Sequence, residues 1–198
     1  IEDIQDQVEL ALMRGEHHKV ARAYVLYREQ RAKQRYKTAK LNEQVGAKVS
    51  TMAVTKRDGH KEDISLEKIT NRISVLSNGL EIDPITIAQK AIQGLYDGIT
   101  TNEIDTYLAE TAAALTVEHP DYSYLAGRIK ANALHKETPG FIIATKNLFE
   151  DGLLREEYYQ KAMANAEEIE KIIDYDRDYL FDYFALTTLF RAYLLQFN

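Results

Sequence analysis

The stretch Ala53-Val54-Thr55-Lys56-Arg57-Asp58-Gly59-His60-Lys61-Glu62-Asp63-Ile64 carries the clearest short-range signal in the chain. Asp58-Gly59 stands between two short extended runs, Ala53-Val54-Thr55 and Glu62-Asp63-Ile64. A type I′ turn needs φ > 0 at both central residues, and Asp-Gly supplies that pair cheaply. The stretch therefore predicts a small β-hairpin.

Helix signals follow it in close order. Leu66, Ile69, Ile73 and Leu76 recur at spacings of three and four, and Asn78-Gly79 stops that helix. Asp83-Pro84 supplies an N-cap and a proline in the first turn of a second helix, expected to run to about Tyr96 and to break at Asp97-Gly98. Thr100 with Glu103 three residues on is a capping box and opens an alanine-rich third helix to about Val117. Asp121 is the expected cap of a fourth, from Tyr122 to about Lys136, and Thr138-Pro139-Gly140 ends it. A hairpin followed by helices defines an α+β unit that is mostly α.

Upstream, Ile1, Ile4, Val8, Ala11 and Leu12 predict a helix over 1–14 that Gly15 ends. A second helix is expected from about Glu16 to Arg35, with Val20, Tyr24 and Tyr27 on one face. Its basic tail, from Arg28 to Lys40, reads as a solvated helix face. Residues 41–52, rich in Asn, Gln, Gly, Lys, Ser and Thr, read as a linker. Segments 1–35 and 104–135 share an apolar-periodic helix, a turn, and a helix opening on an apolar-Ala pair, Val20-Ala21 and Leu125-Ala126. This points to a partial internal repeat. Downstream, 141–170 predicts one or two further helices. The segment from Ile172 to Phe197, dense in Tyr, Phe and Leu, reads as the edge of a bigger core.

Composition narrows the function classes. The chain has 198 residues, a net charge of −6, 45% hydrophobic and 28% charged residues, and no cysteine. A net acidic chain argues against nucleic-acid binding, although a single nucleotide needs only a local basic cluster. The missing cysteines remove disulfides, thiolate zinc sites and thiol nucleophiles. No apolar run reaches transmembrane length, and no signal-peptide pattern follows Ile1, so the sequence reads as a non-membrane segment of something longer. It contains no G-x-x-x-x-G-K-[ST], G-x-G-x-x-G or G-x-S-x-G motif. The adjacent His17-His18 suit surface residues better than metal ligands. The alternation of Asp174, Asp176 and Asp178 lacks the Gly and Glu of a calcium loop, since Tyr179 and Ala185 stand there. No metal site is expected. Gly94 and Gly98, four apart, mark a helix end. Lys56-Arg57, Lys68 and Lys136 form a basic cluster if the last helix folds back; on composition alone they read as exposed charges.

A resemblance changes that last reading. Val54-Thr55-Lys56-Arg57-Asp58-Gly59, Glu62 and Leu66-Glu67-Lys68-Ile69 resemble the opening of the ATP-cone. Gly94-Leu95-Tyr96-Asp97-Gly98-Ile99-Thr100-Thr101 is similar to its central turn, and His119-Pro120-Asp121-Tyr122 with Tyr124-Leu125-Ala126 and Arg128 to its last helix. Ile173-Asp174-Tyr175-Asp176-Arg177-Asp178, Tyr183-Phe184 and Tyr193-Leu194-Leu195 resemble the stretch that leads into the catalytic barrel of class I ribonucleotide reductase large subunits. Residues 1–35 resemble the end of a preceding cone.

The resemblance implies a small β-hairpin plus four-helix bundle followed by helices leading into the barrel. The division would be 1–40 as the C-terminal half of a preceding cone, 41–52 as linker, 53–140 as a complete cone and 141–198 as the start of the catalytic domain. It implies ATP as activating and dATP as inhibiting effector, with Mg2+. Lys56, Arg57 and Lys136 would hold the phosphates, and Glu62, Ser65, Lys68 and Ile69 would make further contacts. Thr101 and Asp105 would lie beside sugar and base. The implied partners are other large subunits and a radical-generating small subunit, in the cytoplasm, in deoxyribonucleotide synthesis for DNA replication. Without cysteines this piece would not itself reduce a ribonucleotide. The alternatives are a cone that serves only as a structural interface and an unrelated helical interaction domain. A zinc-ribbon repressor carrying a cone would need cysteines.

Overall fold

The computed structural model describes residues 2–49 and 52–194. In chain order the elements are α1 (Glu2–Arg14), α2 (His18–Val49), β1 (Ala53–Thr55), β2 (Lys61–Asp63), α3 (Leu66–Leu76), α4 (Pro84–Ile92), α5 (Thr101–Ala114), α6 (Asp121–Glu137), α7 (Phe141–Glu150), α8 (Glu156–Ala164), α9 (Ala166–Ile172) and α10 (Tyr183–Ala192). Short 3-10 turns at Leu115–Val117 and Tyr175–Leu180 complete it. The architecture is α+β and mostly α, with one two-stranded antiparallel sheet.

The hairpin forms where expected, with a different turn. Ala53 pairs with Asp63, Val54 with Glu62 and Thr55 with Lys61. The Lys56 N–H donates to the His60 carbonyl at 2.7 Å, which leaves a three-residue loop, Arg57-Asp58-Gly59. Only Gly59 takes a positive φ, 82°. Asp58 instead turns its carboxylate onto the His60 N–H at 2.9 Å. This is the hairpin class with a single left-handed residue, not the type I′ turn. The difference matters, because regular strand pairing would send Lys56 and Arg57 to opposite faces.

The outer edge of β1 is covered by the 97–100 segment. The Thr55 N–H donates to the Ile99 carbonyl at 2.9 Å and the Gly98 N–H to the Ala53 carbonyl at 2.8 Å. The Asp97 carboxylate accepts from the Ala53 N–H at 2.7 Å. These bonds tie the start of α5 to the hairpin. The Thr100–Glu103 capping box then opens α5 as expected. Asp83 caps α4 with Pro84 in its first turn, but α4 ends at Ile92, short of Tyr96. Gly94 lies under the Tyr107 ring, where a Cβ would come within 2.3 Å of Cζ. Asp121 does not cap α6. It lies inside the first turn and accepts from the Glu81 N–H at 2.7 Å, tying α6 to the connection between α3 and α4.

The core is one cluster shared by the hairpin and α3 to α6. Ile73, Ile87, Ile99, Leu108, Leu125 and Ile129 are fully buried. Helices α5 and α6 pack along their lengths as an antiparallel pair, which returns the end of α6 to the start of α5.

Two expectations outside this core change. Helix α2 does not end near Arg35 but continues to Val49, through most of the 41–52 segment read as a linker; residues 50–51 lie outside the described residues. Its Lys, Gln, Glu and Ala content favours helix, and one interior glycine costs only about 1 kcal/mol. Helix α1 ends in a Schellman pattern, with the His17 N–H on the Leu12 carbonyl at 3.1 Å and the Glu16 N–H on the Met13 carbonyl at 3.2 Å. The helix thus ends at Gly15 as expected, and the left-handed residue that closes the motif is Glu16, at φ 58°. The 141–170 stretch holds three helices rather than one or two. The repeat expectation finds a parallel: Ala21 and Ala126 are both fully buried.

Candidate functional site

Beside the hairpin, where α3, α5 and α6 meet it, lies a cleft of about 650 Å³. Every candidate position reaches it: Lys56, Arg57, Glu62, Ser65, Lys68, Ile69, Thr101, Asp105 and Lys136 all line the walls. Two helices each contribute polar residues one turn apart, and a third contributes one. Lys68 and Arg72 come from α3, and Thr101 and Asp105 from α5; on α6, Lys136 lies one turn beyond Asn132. Residues four apart share a helix face, so α3 and α5 each aim two polar groups into the cleft, while Asn132 reaches it only through Arg72. Val54, Ile64, Ile104 and Leu108 supply an apolar wall.

The charge pattern is cationic. Lys56, Arg57, Lys68, Arg72 and Lys136 face Asp58, Glu62 and Asp105. Asp105, only 3% exposed, receives Arg57 Nη2 at 3.0 Å on Oδ2 and Arg72 Nη1 on Oδ1. Arg57 also reaches Glu137 at 3.4 Å. Glu62 bridges Lys56 and Lys68, the latter at 3.0 Å, and these hydrogen bonds hold its carboxyl below the ordinary carboxylate range. Lys136 stands apart: no carboxylate lies within ion-pair distance of it among the described residues. The residue is exposed overall, and its pKa is lowered, first by desolvation where the side chain lies against the cleft wall. Arg72, Arg57 and Lys56 lower it further, while Asp105 opposes them.

Two polar atoms in the cleft are buried without a partner, Arg72 Nη2 and Thr101 Oγ1. Arg128 Nε and Glu170 Oε2 are unpartnered elsewhere, so the two cleft atoms mark places where a water or a polar ligand group could bind. Ser65 also has a structural task, accepting from the Lys68 N–H at 3.2 Å as the N-cap of α3.

The sequence reading missed Arg72, Asn132 and Glu137. Arg72 could have been found from the i,i+4 spacing after Lys68, and Asn132 from the same spacing before Lys136. Glu137 had no such signal. The candidates outside the cleft find other uses. Asp174 caps the 3-10 turn at Asp176, and Asp178 meets His135 Nε2 at 2.8 Å.

A mixed cleft with clustered cations, an apolar wall and a buried carboxylate has the chemistry to take a small anionic molecule. Comparison with known families gives it a class. The ATP cone domain matches residues 1–33 and 52–137, more than half of the chain, and the chain belongs to that family. Among individual proteins it is similar to the ribonucleoside-diphosphate reductase large subunit of Dictyostelium discoideum, 41% identical over 167 residues, covering 76% of this chain and 19% of that protein. The Caenorhabditis elegans large subunit is 44% identical over 158 residues, covering 73% and 20%. The Variola virus large subunit is 41% identical over 160 residues, covering 74% and 21%. The chain spans about a fifth of the length of these relatives.

Proposed function

We propose that this chain is the overall-activity regulatory region of a ribonucleoside-diphosphate reductase large subunit, with ATP as activator and dATP as inhibitor in the cleft. The observation that carries the reading is the convergence of every candidate residue on one cationic cleft that also holds two orphaned polar atoms. In this reading Lys56, Arg57 and Lys136 hold the phosphates, with Glu62, Ser65, Lys68 and Ile69 in further contacts. Thr101 and Asp105 lie beside the sugar and base. The uncompensated Lys136 suits a triphosphate, because an anion restores the environment its ammonium lacks. Glu62 and Asp105 are engaged by protein cations, so Mg2+ would arrive on the phosphates rather than on a carboxylate cage.

ATP and dATP differ only in the 2′-hydroxyl. Asp105 is an acceptor apt for a ribose hydroxyl, and loss of one such bond changes affinity by about 0.5–1.5 kcal/mol. Effector state then biases contacts with other large subunits and access of the radical-generating small subunit. Linkage requires assembly to favour one effector by the same free energy with which that effector favours assembly. Residues 1–40 would be the C-terminal half of a preceding cone, 53–140 the nucleotide-binding cone and 141–198 the entry to a catalytic domain. The setting would be cytoplasmic deoxyribonucleotide synthesis. No helix among the described residues is long and apolar enough to cross a membrane. Having no cysteine, this piece would not turn over substrate.

Light scattering with saturating ATP, then with saturating dATP, tests the regulatory part. A larger mass with only one of the two supports an effector-driven switch within the chain. Equal masses, with both nucleotides bound, place the switch outside it. Failure of both nucleotides to bind leaves a cone that serves only as an interface.

A further inference from the structure

The residue that carries the discrimination in the reading above is gripped by Arg57 and Arg72, and a line of hydrogen bonds runs from Arg72 to a turn outside the matched 52–137 region. Asp105 is gripped by Arg72 Nη1. The Nε of the same guanidinium donates to Asn132 Oδ1 at 3.1 Å. Arginine only donates, so the Asn132 carbonyl must face Arg72 and its amide nitrogen must face away. That nitrogen donates to the Tyr179 hydroxyl at 3.3 Å. Tyr179 belongs to the Tyr175–Leu180 turn, beyond the end of α6.

The turn is docked firmly. His135, one residue before Lys136, bonds Asp178 at 2.8 Å and meets the rings of Tyr175 and Tyr179 edge-on. At Gly127 the backbone of the next segment comes so close that a Cβ would lie 2.3 Å from the Phe181 carbonyl oxygen. The cleft and the docked turn thus share one line of hydrogen bonds, Asp105–Arg72–Asn132–Tyr179.

We propose that Asn132 and Tyr179 are positioning residues of the effector cleft: they fix the Arg72 guanidinium, and through it the Asp105 carboxylate, so that effector binding and docking of the 175–180 turn are linked. The proposal rests on the nucleotide reading of the cleft. Removing the hydroxyl leaves the Asn132 amide nitrogen unpaired, so Asn132 keeps only its bond from Arg72 and supports that guanidinium less firmly. Linkage makes the effect reciprocal, so a bound effector must tighten the turn.

The test is calorimetric titration of ATP and dATP into the chain and its Tyr179→Phe and Tyr175→Phe variants. Tyr175 lies in the same turn, but its hydroxyl bonds Glu170 at 3.1 Å and is outside the line. Tyr179→Phe is expected to weaken binding roughly three- to tenfold, the worth of one buried hydrogen bond, and to shift the ATP-to-dATP affinity ratio. Tyr175→Phe is expected to match the wild type. In an Asn132→Leu background the Tyr179→Phe effect should vanish, because the line is already cut. Hydrogen exchange of the unmodified chain should show slower exchange in 175–180 with ATP bound. Wild-type affinity in Tyr179→Phe, an equal loss in Tyr175→Phe, or exchange indifferent to ATP would each overturn the proposal while leaving the nucleotide site standing. A wild-type chain that binds neither nucleotide removes the reading beneath it as well.

Discussion

Asp105 and Lys136 form opposite electrostatic extremes of one cleft. Asp105 is buried between two arginines, so Asp105→Asn strands positive charge in a dry place. We expect it to lower stability by about 1–3 kcal/mol in urea unfolding, in addition to any effect on effector choice. Lys136 has the reverse problem. Its folded pKa lies below the ordinary lysine value, chiefly by desolvation, so the unfolded chain binds more protons in the window between the two. Its contribution to stability therefore rises as pH rises through the lowered pKa. Triphosphate binding reverses the sign, because it needs the ammonium. Affinity should be fullest below that lowered pKa and fall as pH rises through it, and Lys136→Ala should flatten this arm of the profile. At this scale the sequence went far: the resemblance identified the cleft-lining positions, and spacing carried an unread signal for Arg72 and Asn132. The Arg57–Glu137 contact was illegible, since it depends on how the loop curls and where α6 returns.

At the scale of elements, caps and close approaches decide what the cleft can hold. The Thr100–Glu103 box starts the helix that carries Thr101 and Asp105. Thr100→Ala should cost about 1 kcal/mol of thermal or urea stability. Two glycines separate by what lies over them. At Gly94 an added methyl meets the Tyr107 ring, a side chain; at Gly127 it meets backbone of residues 181 and 182. Gly127→Ala should therefore be the costlier, by the 1–3 kcal/mol typical of overpacking, and hydrogen exchange should quicken in 175–192 first. Element existence was legible because 3.6-residue periodicity and cap chemistry are local. The hairpin turn was misread because Asp-Gly serves two loop classes, and pairing of Lys56 with His60 chooses between them. The end of α2 was placed too early, at Arg35, because the polar composition of 41–49 suits an irregular stretch and a solvated helix alike.

For the whole molecule, the docked C-terminal segment sets the question. Leu180, Phe184 and Tyr193 are 72%, 78% and 75% exposed, which fits the expectation that this segment edges a bigger core. Such a surface is invisible to local pattern and follows only from counting apolar residues against what covers them. The central claim is simpler and can be tested first: the cleft between hairpin, α3, α5 and α6 binds an adenine nucleotide. The direct measurement is calorimetric titration of ATP with Mg2+ into the chain and into Lys136→Ala. The account predicts saturable heat for the wild type and binding at least tenfold weaker in the variant, the worth of a charge-assisted hydrogen bond at about 1.5–3 kcal/mol. No saturable heat from a folded wild-type chain, or equal affinity in the variant, would contradict it.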